Sequence, residues 1–245
     1  RARVTSSVSS LKIDCSVVLG YSSIAFLWWG ADFPIFYTDV VTQTTVDQII
    51  ITNAFDNGTI RTTGIGFGLF TNSTNQYVQY GLVTRLTVQG FSRCLSLQVT
   101  GSFTNSWLNG NTFDDLTLST TTDYYGIYVD HGGSLNVNGN MFTNVHVQAF
   151  PGGSGLGRAL YMNGRRGNYF SMNVWDWNVA PIVEVTSVGY FTALNLPVMF
   201  YSDILDNGAQ TNILCGDIAQ QSILSTLNTV VSRQNNNLNL APNGV

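Results

Sequence analysis

A carboxylate and an imidazole lie side by side at Asp130 and His131, immediately before two glycines. An acid next to a histidine is a combination that general acid–base catalysis uses. Cleavage of a glycosidic bond usually takes two carboxylates, about 5–5.5 Å apart for retention or about 6.5–9.5 Å apart for inversion. The acidic residues of the repeat described below are the candidate catalytic groups: Asp114, Asp115, Asp130 and Glu184.

The same pair also suits a polar turn at the end of a strand. The stretch that ends at Asp130 aligns with four others, and the last positions of all five are turn-forming or small polar residues: Asn72, Thr100, Asp130, Asn163 and Thr186. Such side chains hydrogen-bond to the local backbone. The turn interpretation therefore explains Asp130 without catalysis, and it places His131 in the loop that follows.

The composition indicates a β protein with a large core. Of the 245 residues 44% are hydrophobic and 10% are charged, against a usual ~25% charged. β-branched residues are plentiful and strong helix formers are scarce, which favours strands. The length suits one large domain, and since Arg1 rather than methionine comes first we expect a processed chain or a piece of a longer one. A net charge of −4 predicts no nucleic-acid surface.

The sequence predicts no metal site, no cofactor and no membrane insertion. A glycine-rich stretch at 151–160 does not lie between a strand and a helix, so it predicts no nucleotide site. The apolar stretch 24–36 is interrupted by Asp32 and Pro34 and is too short to cross a bilayer. The three cysteines, Cys15, Cys94 and Cys215, do not have the spacing of metal ligands. Buried free thiols are the favoured interpretation, and one disulfide with one thiol left over stays open.

Two short motifs repeat along the chain and keep step with each other. The first is an alternating apolar stretch, found as GLFTN (68–72), SLQVT (96–100), GIYVD (126–130), ALYMN (159–163) and IVEVT (182–186). The second is a polar–aromatic start, found as NTFDDLTL, NMFTNVHV, NYFSMNVW and GYFTALNL, the third with a one-residue slip. One unit returns every ~20–30 residues, which is typical of solenoids.

A parallel β-helix accounts for both motifs, because equivalent residues of stacked coils lie above one another. We expect the four aromatics of the second motif to form an interior stack and its asparagines to form an amide ladder: Phe113, Phe142, Phe170 and Phe191, and Asn111, Asn140 and Asn168. A β-sandwich is the competing architecture, although it does not explain two synchronised columns. The predicted organisation is an irregular N-terminal cap or packing segment at 1–60, the β-helix at 61–215, and a C-terminal lid with a polar tail at 216–245.

Aromatic side chains occupy a position of the first motif that should face solvent. With its polar members this stripe reads Phe70, Gln98, Tyr128, Tyr161 and Glu184. Exposed aromatics are typical of subunit interfaces and of carbohydrate grooves, and both explanations stay open. Trp175 and Trp177, which flank Asp176, have the same two explanations. Arg165 and Arg166 are either ligands for an acidic sugar or solvated charges, while His146 is interpreted as a surface residue.

The stacked N-x-F units and the GIYVD and ALYMN strands resemble the pectate-lyase-like right-handed parallel β-helix superfamily, and bacteriophage tailspikes in particular. The resemblance covers roughly residues 50–215. It implies a right-handed, all-β solenoid, a homotrimer and a location in a virion tail or outside the cell, with other virion or extracellular structural proteins as neighbours. Of the polygalacturonase motifs only the D-D pair is present, at Asp114–Asp115, and no calcium-binding cluster matches the lyases.

Three functions follow from this resemblance and from the aromatic stripe. The first is binding of host surface polysaccharide by a trimer. The second is cleavage of that polysaccharide by a glycoside hydrolase or lyase, with carboxylates on the helix face or between subunits. The third is a purely structural role in a virion or an extracellular assembly. The sequence leaves open whether the chain is an enzyme.

Overall fold

The structure is a computed structural model of the chain. It describes residues 4–14, 24–29, 31–32, 42–53, 55–56, 59–60, 64–71, 76–99, 107–131, 137–150, 156–163, 168–177, 182–185, 192–196, 203–206, 211–215, 222–225, 229–234 and 237–242. Every regular element in these ranges is a β-strand. Within them, no helix is long and apolar enough to cross a membrane.

The described strands are short and follow one another at brief intervals. They are β1 (Val4–Asp14), β2 (Ile24–Trp29), β3 (Ala31–Asp32), β4 (Thr42–Thr52), β5 (Phe55–Asp56), β6 (Thr59–Ile60), β7 (Ile65–Thr71), β8 (Gln76–Gln79), β9 (Leu82–Gln89), β10 (Arg93–Val99), β11 (Trp107–Asn109), β12 (Thr112–Thr121), β13 (Tyr125–Asp130), β14 (Val137–Asn138), β15 (Met141–Phe150), β16 (Arg158–Asn163), β17 (Asn168–Trp175), β18 (Val183–Val185), β19 (Thr192–Leu196), β20 (Asp203–Asp206), β21 (Thr211–Cys215), β22 (Ser222–Ser225), β23 (Thr229–Gln234) and β24 (Asn237–Pro242).

All but two of these strands form three stacked sheets, and β5 and β6 pair antiparallel in a separate two-stranded sheet. Sheet A has the order β1-β4-β9-β12-β15-β17-β19-β21-β23-β24, sheet B the order β2-β7-β10-β13-β16-β18-β20-β22, and sheet C the order β14-β11-β8-β3. From β7 to β15 the chain visits sheets B, C and A in turn, so strands pair in parallel with their equivalents in the next coil, as in β9, β12 and β15; β3–β8 and β23–β24 are the antiparallel pairs among the described strands of these three sheets. This is a right-handed parallel β-helix, and the predicted fold is confirmed.

Strands from both predicted terminal segments take part in the ladder of sheet A. β1 and β4 lie within 1–60, and β24, within 216–245, closes the sheet through an antiparallel pairing with β23. The boundaries of a cap and of a lid stay predictions.

A bend interrupts alternation in β4, β9, β12 and β15 of sheet A, and Ser10 of β1 has the same left-handed backbone at the equivalent position. Each strand has an inward apolar residue, two outward residues and another inward apolar residue, as in Phe113–Leu116. The second outward residue has a left-handed backbone with φ between 51° and 58°, at Gln48, Arg85, Asp115 and Asn144. β17 lacks one residue here, and its register with β15 shifts between Phe142 and Val145. The predicted slip after Phe170 is confirmed.

Phenylalanine rings stack along the solenoid axis inside the core. Phe113 and Phe142 have ring centroids 4.6 Å apart with a 4° interplanar angle, and Phe142 and Phe170 are 4.5 Å apart at 11°. All three rings are fully buried. In the next coil Leu194 pairs with Phe170. The fourth predicted member of the stack, Phe191, lies outside the described residues.

The predicted asparagine ladder runs beside this stack, at the corner between sheets C and A. The Asn111 side-chain amide donates to Asn140 Oδ1 at 3.0 Å, and that of Asn140 donates to Asn168 Oδ1 at 3.1 Å. Each Nδ2 also donates to a carbonyl of the preceding coil, and each of the two acceptor oxygens receives a backbone N–H as well. In successive coils the ladder thus provides hydrogen-bond partners for buried backbone groups at this corner.

Glycine allows the chain to turn at this corner. Gly110 and Gly139, which precede the ladder asparagines, both have φ near +63°. A Cβ atom on Gly110 would lie 2.9 Å from the Tyr80 ring. Backbone handedness and close approach both favour glycine here.

One cysteine is described in full. Cys94 is a free thiol, completely buried, and its Sγ donates to the Ser119 carbonyl at 3.3 Å. Burial raises the pKa of the Cys94 thiol to about 12. It is therefore an unreactive core residue, as predicted. Cys15 and the side chain of Cys215 lie outside the described residues.

Replacing Asn140 by alanine tests the ladder at its centre. The change deletes the bonds to Leu108 and Asn168 and removes the acceptor for two N–H groups of Asn111. We expect the free energy of unfolding to fall by about 2–4 kcal/mol, because buried donors lose their partners. Chemical denaturation measures it. Asn138→Ala, at a partly exposed site, is the matched control and should change stability by less than about 0.5 kcal/mol; equal losses would contradict the ladder's role.

Candidate functional site

Three tyrosines lie together on the outer surface of sheet B and form what we call the tyrosine face: Tyr125, Tyr128 and Tyr161. They project from β13 and β16, whose inward residues Ile127, Val129, Leu160 and Met162 are buried in the core. Alternation along each strand directs Tyr128 and Tyr161 outward. Tyr125 precedes two consecutive buried residues, so alternation does not place it, but its ring contacts those of Tyr128 and Tyr161. All three are partly exposed.

The register of sheet B corrects the predicted stripe. Tyr128 pairs with Ser96 and Tyr161, and Tyr161 pairs with Glu184. Gln98 pairs with Phe70 and Asp130, so it belongs to the neighbouring column. The alignment between 96–100 and 126–130 was thus wrong by two residues.

Tyr128 is held between two flat groups from adjacent coils. The Arg93 guanidinium lies 4.0 Å from the ring centroid on the side of β10. The Tyr161 ring stacks on the side of β16, with centroids 4.9 Å apart and an interplanar angle of 16°. Tyr125 meets both rings edge-on, at 5.1 and 5.9 Å. Because both faces of Tyr128 are covered, this residue presents its ring edge and its hydroxyl to a ligand.

Charged and amide groups surround the tyrosine face. The Arg158 guanidinium forms a salt bridge with Glu184 at 2.9 Å, and both side chains are largely covered. At the other edge, Asn163 Nδ2 donates to Asp130 Oδ1 at 3.1 Å, and the Tyr128 hydroxyl lies 3.4 Å from the other oxygen of Asp130. Each of these groups is fixed by a neighbour on the next coil or on its own strand.

The Tyr128 hydroxyl stays protonated to a higher pH than an ordinary tyrosine hydroxyl. Burial is the main cause, and the negative charge of Asp130 adds to it, so that the pKa of Tyr128 rises to about 12. A neutral phenol both donates and accepts hydrogen bonds. The tyrosine face therefore suits a ligand with hydroxyl groups better than it suits a reaction that needs a tyrosinate.

The four predicted catalytic carboxylates divide between two sheets. Asp114 lies on sheet A, where it accepts from Thr143 Oγ1 at 2.7 Å and from Asn144 Nδ2 at 2.8 Å. Asp115 is exposed at the bend of the same strand. Asp130 and Glu184 lie on sheet B, with β16 between their strands. In one chain these two pairs do not form a common site; assembly across a subunit boundary stays a prediction.

Asp130 and His131 form a rung between neighbouring coils through Asn163. Its carboxylate is hydrogen-bonded to Asn163, while the backbone N–H of His131 donates to the Asn163 carbonyl at 2.8 Å. Both residues thus continue the β13–β16 pairing past the end of the strand. Among the described residues, no group of three or more His, Cys, Asp or Glu side chains is placed to hold a metal ion.

The remaining predicted residues have different environments. Trp175 is 52% exposed on sheet A, but Trp177 is 3% exposed and belongs to the core, so the predicted patch of two surface tryptophans is wrong. The reason is the left-handed backbone of Asp176, which breaks the alternation between them. Phe70 is 7% exposed and does not present an open ring to solvent. Arg165 and Arg166 lie outside the described residues.

Comparison with known proteins found no matching family model, no similar curated protein and no similar solved structure.

The raised pKa of Tyr128 predicts a loss of stability at alkaline pH. An unfolded tyrosine ionises near pH 10, whereas folded Tyr128 keeps its proton to about pH 12. Between these values the folded state binds more protons than the unfolded state, so the free energy of unfolding falls as pH rises. Tyr128→Phe, followed by denaturation from about pH 9 to 12, should flatten that fall. Tyr80→Phe, on another surface, is the control; an equal effect of both changes would refute the assignment.

Proposed function

We propose that this chain is the β-helix of a trimeric appendage, of the kind found in bacteriophage tailspikes, that binds surface polysaccharide of a host cell. The observation that carries the proposal is the tyrosine face with its surrounding Arg93, Asp130, Arg158 and Glu184. Such an appendage would lie in a virion tail or outside the cell, next to other structural proteins of that assembly.

The chemistry of the tyrosine face fits sugars. Each sugar hydroxyl is both a donor and an acceptor, and the face mixes donor-only guanidinium groups, acceptor-only carboxylates and tyrosine hydroxyls that do both. The partly apolar ring edges suit the C–H surfaces of a sugar. Because these side chains lie on rigid strands and contact one another, they lose little conformational entropy when a ligand binds.

The periodicity of the fold supports a polymeric ligand. Equivalent positions recur in each coil at roughly 4.8 Å along the solenoid axis. Tyr128 and Tyr161 are one such pair, and Glu184 continues their column. A polysaccharide that lies along the axis meets groups of similar type in successive coils, which multiplies weak contacts.

Polysaccharide cleavage is the second candidate function. Asp130 and Glu184 border the same face, on strands separated by one strand and at positions two residues apart along the register, so their backbones lie about 11–12 Å apart. Their side chains must therefore lean toward each other to reach the carboxylate separation of at most about 9.5 Å that inverting glycosidases use. Asp130 is bound to Asn163 and Glu184 to Arg158, so a catalytic role requires a substrate to replace these partners.

Binding and cleavage are tested together on surface polysaccharides extracted from candidate bacterial hosts. We expect the purified chain to bind one of these polysaccharides as a trimer. Tyr161→Ala should weaken binding at least about tenfold, because it removes the aromatic ring and the hydroxyl of Tyr161. Calorimetry measures affinity, sedimentation measures oligomer mass, and reducing ends with absorbance of unsaturated products measure cleavage. Tyr80→Ala, an exposed tyrosine on another surface, is the matched control.

The outcomes separate the three functions. An intact trimer that loses binding with Tyr161→Ala supports recognition. Release of fragments that stops with Asp130→Asn or Glu184→Gln supports cleavage. Loss of the trimer with an intact monomer fold, and no polysaccharide bound by the parent chain, supports a structural role and contradicts the proposal.

A further inference from the structure

A second group of polar and aromatic side chains lies on the outer surface of sheet A, away from the tyrosine face. We call it the His–Trp site and define it by His146 on β15 and by Asn173 and Trp175 on β17. His146 and Asn173 are direct partners in the register of these strands. Trp175 follows two residues later on the same surface, next to Gln148.

Two polar atoms of this site, on directly paired residues, are buried without a partner among the described residues. Neither His146 Nδ1 nor Asn173 Oδ1 has a hydrogen bond within the described part of the chain. A buried polar atom that lacks a partner is costly, and native proteins rarely leave one unsatisfied. Two such atoms on directly paired residues mark a place where a group from outside the chain would complete the hydrogen bonding.

Trp175 adds an apolar platform to these two atoms. Its side chain is 52% exposed, and its ring lies 5.4 Å from the His146 ring at an interplanar angle of 49°. A half-exposed tryptophan offers a large flat surface to the C–H side of a ring-shaped ligand. The two rings thus form one continuous surface at which a ligand ring can pack next to His146.

We infer that the His–Trp site binds a neutral sugar residue. One hydroxyl satisfies both orphan atoms: it accepts a hydrogen bond from His146 Nδ1–H and donates one to Asn173 Oδ1. The sugar ring then packs on Trp175. An anionic ligand is disfavoured, because the Asp176 carboxylate lies beside the tryptophan, where it accepts from Gln148 Nε2 at 3.0 Å.

This site is independent of the proposed function at the tyrosine face. The two lie on different sheets, and no residue belongs to both. An appendage with sugar contacts on two surfaces would engage two chains of a polysaccharide layer and gain avidity. Either site is testable while the other stays intact.

The test uses soluble neutral glucans, mannans and galactans with the full chain, by calorimetry and tryptophan fluorescence. We expect one of these glycans to bind, and His146→Ala, Asn173→Leu and Trp175→Ala each to weaken binding at least about tenfold. Thr117→Ala, in the same column one coil earlier, and Trp107→Ala, an exposed tryptophan on sheet C, are the matched controls. Tyr80→Ala, at an exposed tyrosine outside both surfaces, should leave this binding unchanged.

Asn173→Leu separates a ligand site from a packing defect. It removes an unsatisfied buried oxygen, so the melting temperature should stay the same or rise while glycan affinity falls. Binding of none of the glycans, or equal binding by the parent chain and the three site variants, would overturn the inference. A loss of binding shared by the control variants would overturn it as well.

Discussion

Every feature of this protein depends on the stacking of like residues between parallel coils. A single coil cannot bury its apolar side, and only repetition at the inter-strand distance closes the core. The asparagine ladder and the phenylalanine stack fulfil this constraint at one corner of the solenoid, the first with amide hydrogen bonds and the second with buried rings. Because both run along the axis, each coil fixes the position of the next.

The regular arrangement of the tyrosine face results from the stacking of the coils. Tyr128 and Tyr161 lie one coil apart, so their rings are held parallel by the same pairing that aligns the strands. Arg93 on the preceding coil completes the arrangement. The site is therefore a product of the solenoid, and its groups are in place before a ligand arrives. Such preorganisation favours recognition of an extended polymer by many modest contacts.

The sequence predicts that coils repeat along the solenoid axis, but it predicts less well which residues pair between neighbouring strands. Asn111 and its equivalents were found because inward and corner positions must repeat in each coil. The pairing of Ser96 with Tyr128 was missed, because a shift by two residues keeps every side chain on its own side of a strand. Trp177 was misplaced for a related reason, since alternation was assumed across a residue, Asp176, whose backbone is left-handed. A residue with a left-handed backbone cannot be recognised from the order of hydrophobic and polar residues in the sequence.

The central claim is that the outward surface of sheet B contacts polysaccharide. Hydroxyl-radical footprinting with and without a bound surface polysaccharide, resolved by residue with mass spectrometry, tests it most directly. The account predicts that oxidation falls at Tyr125, Tyr128 and Tyr161 and stays constant at Tyr80. Unchanged oxidation of the three tyrosines in a saturated complex would contradict it.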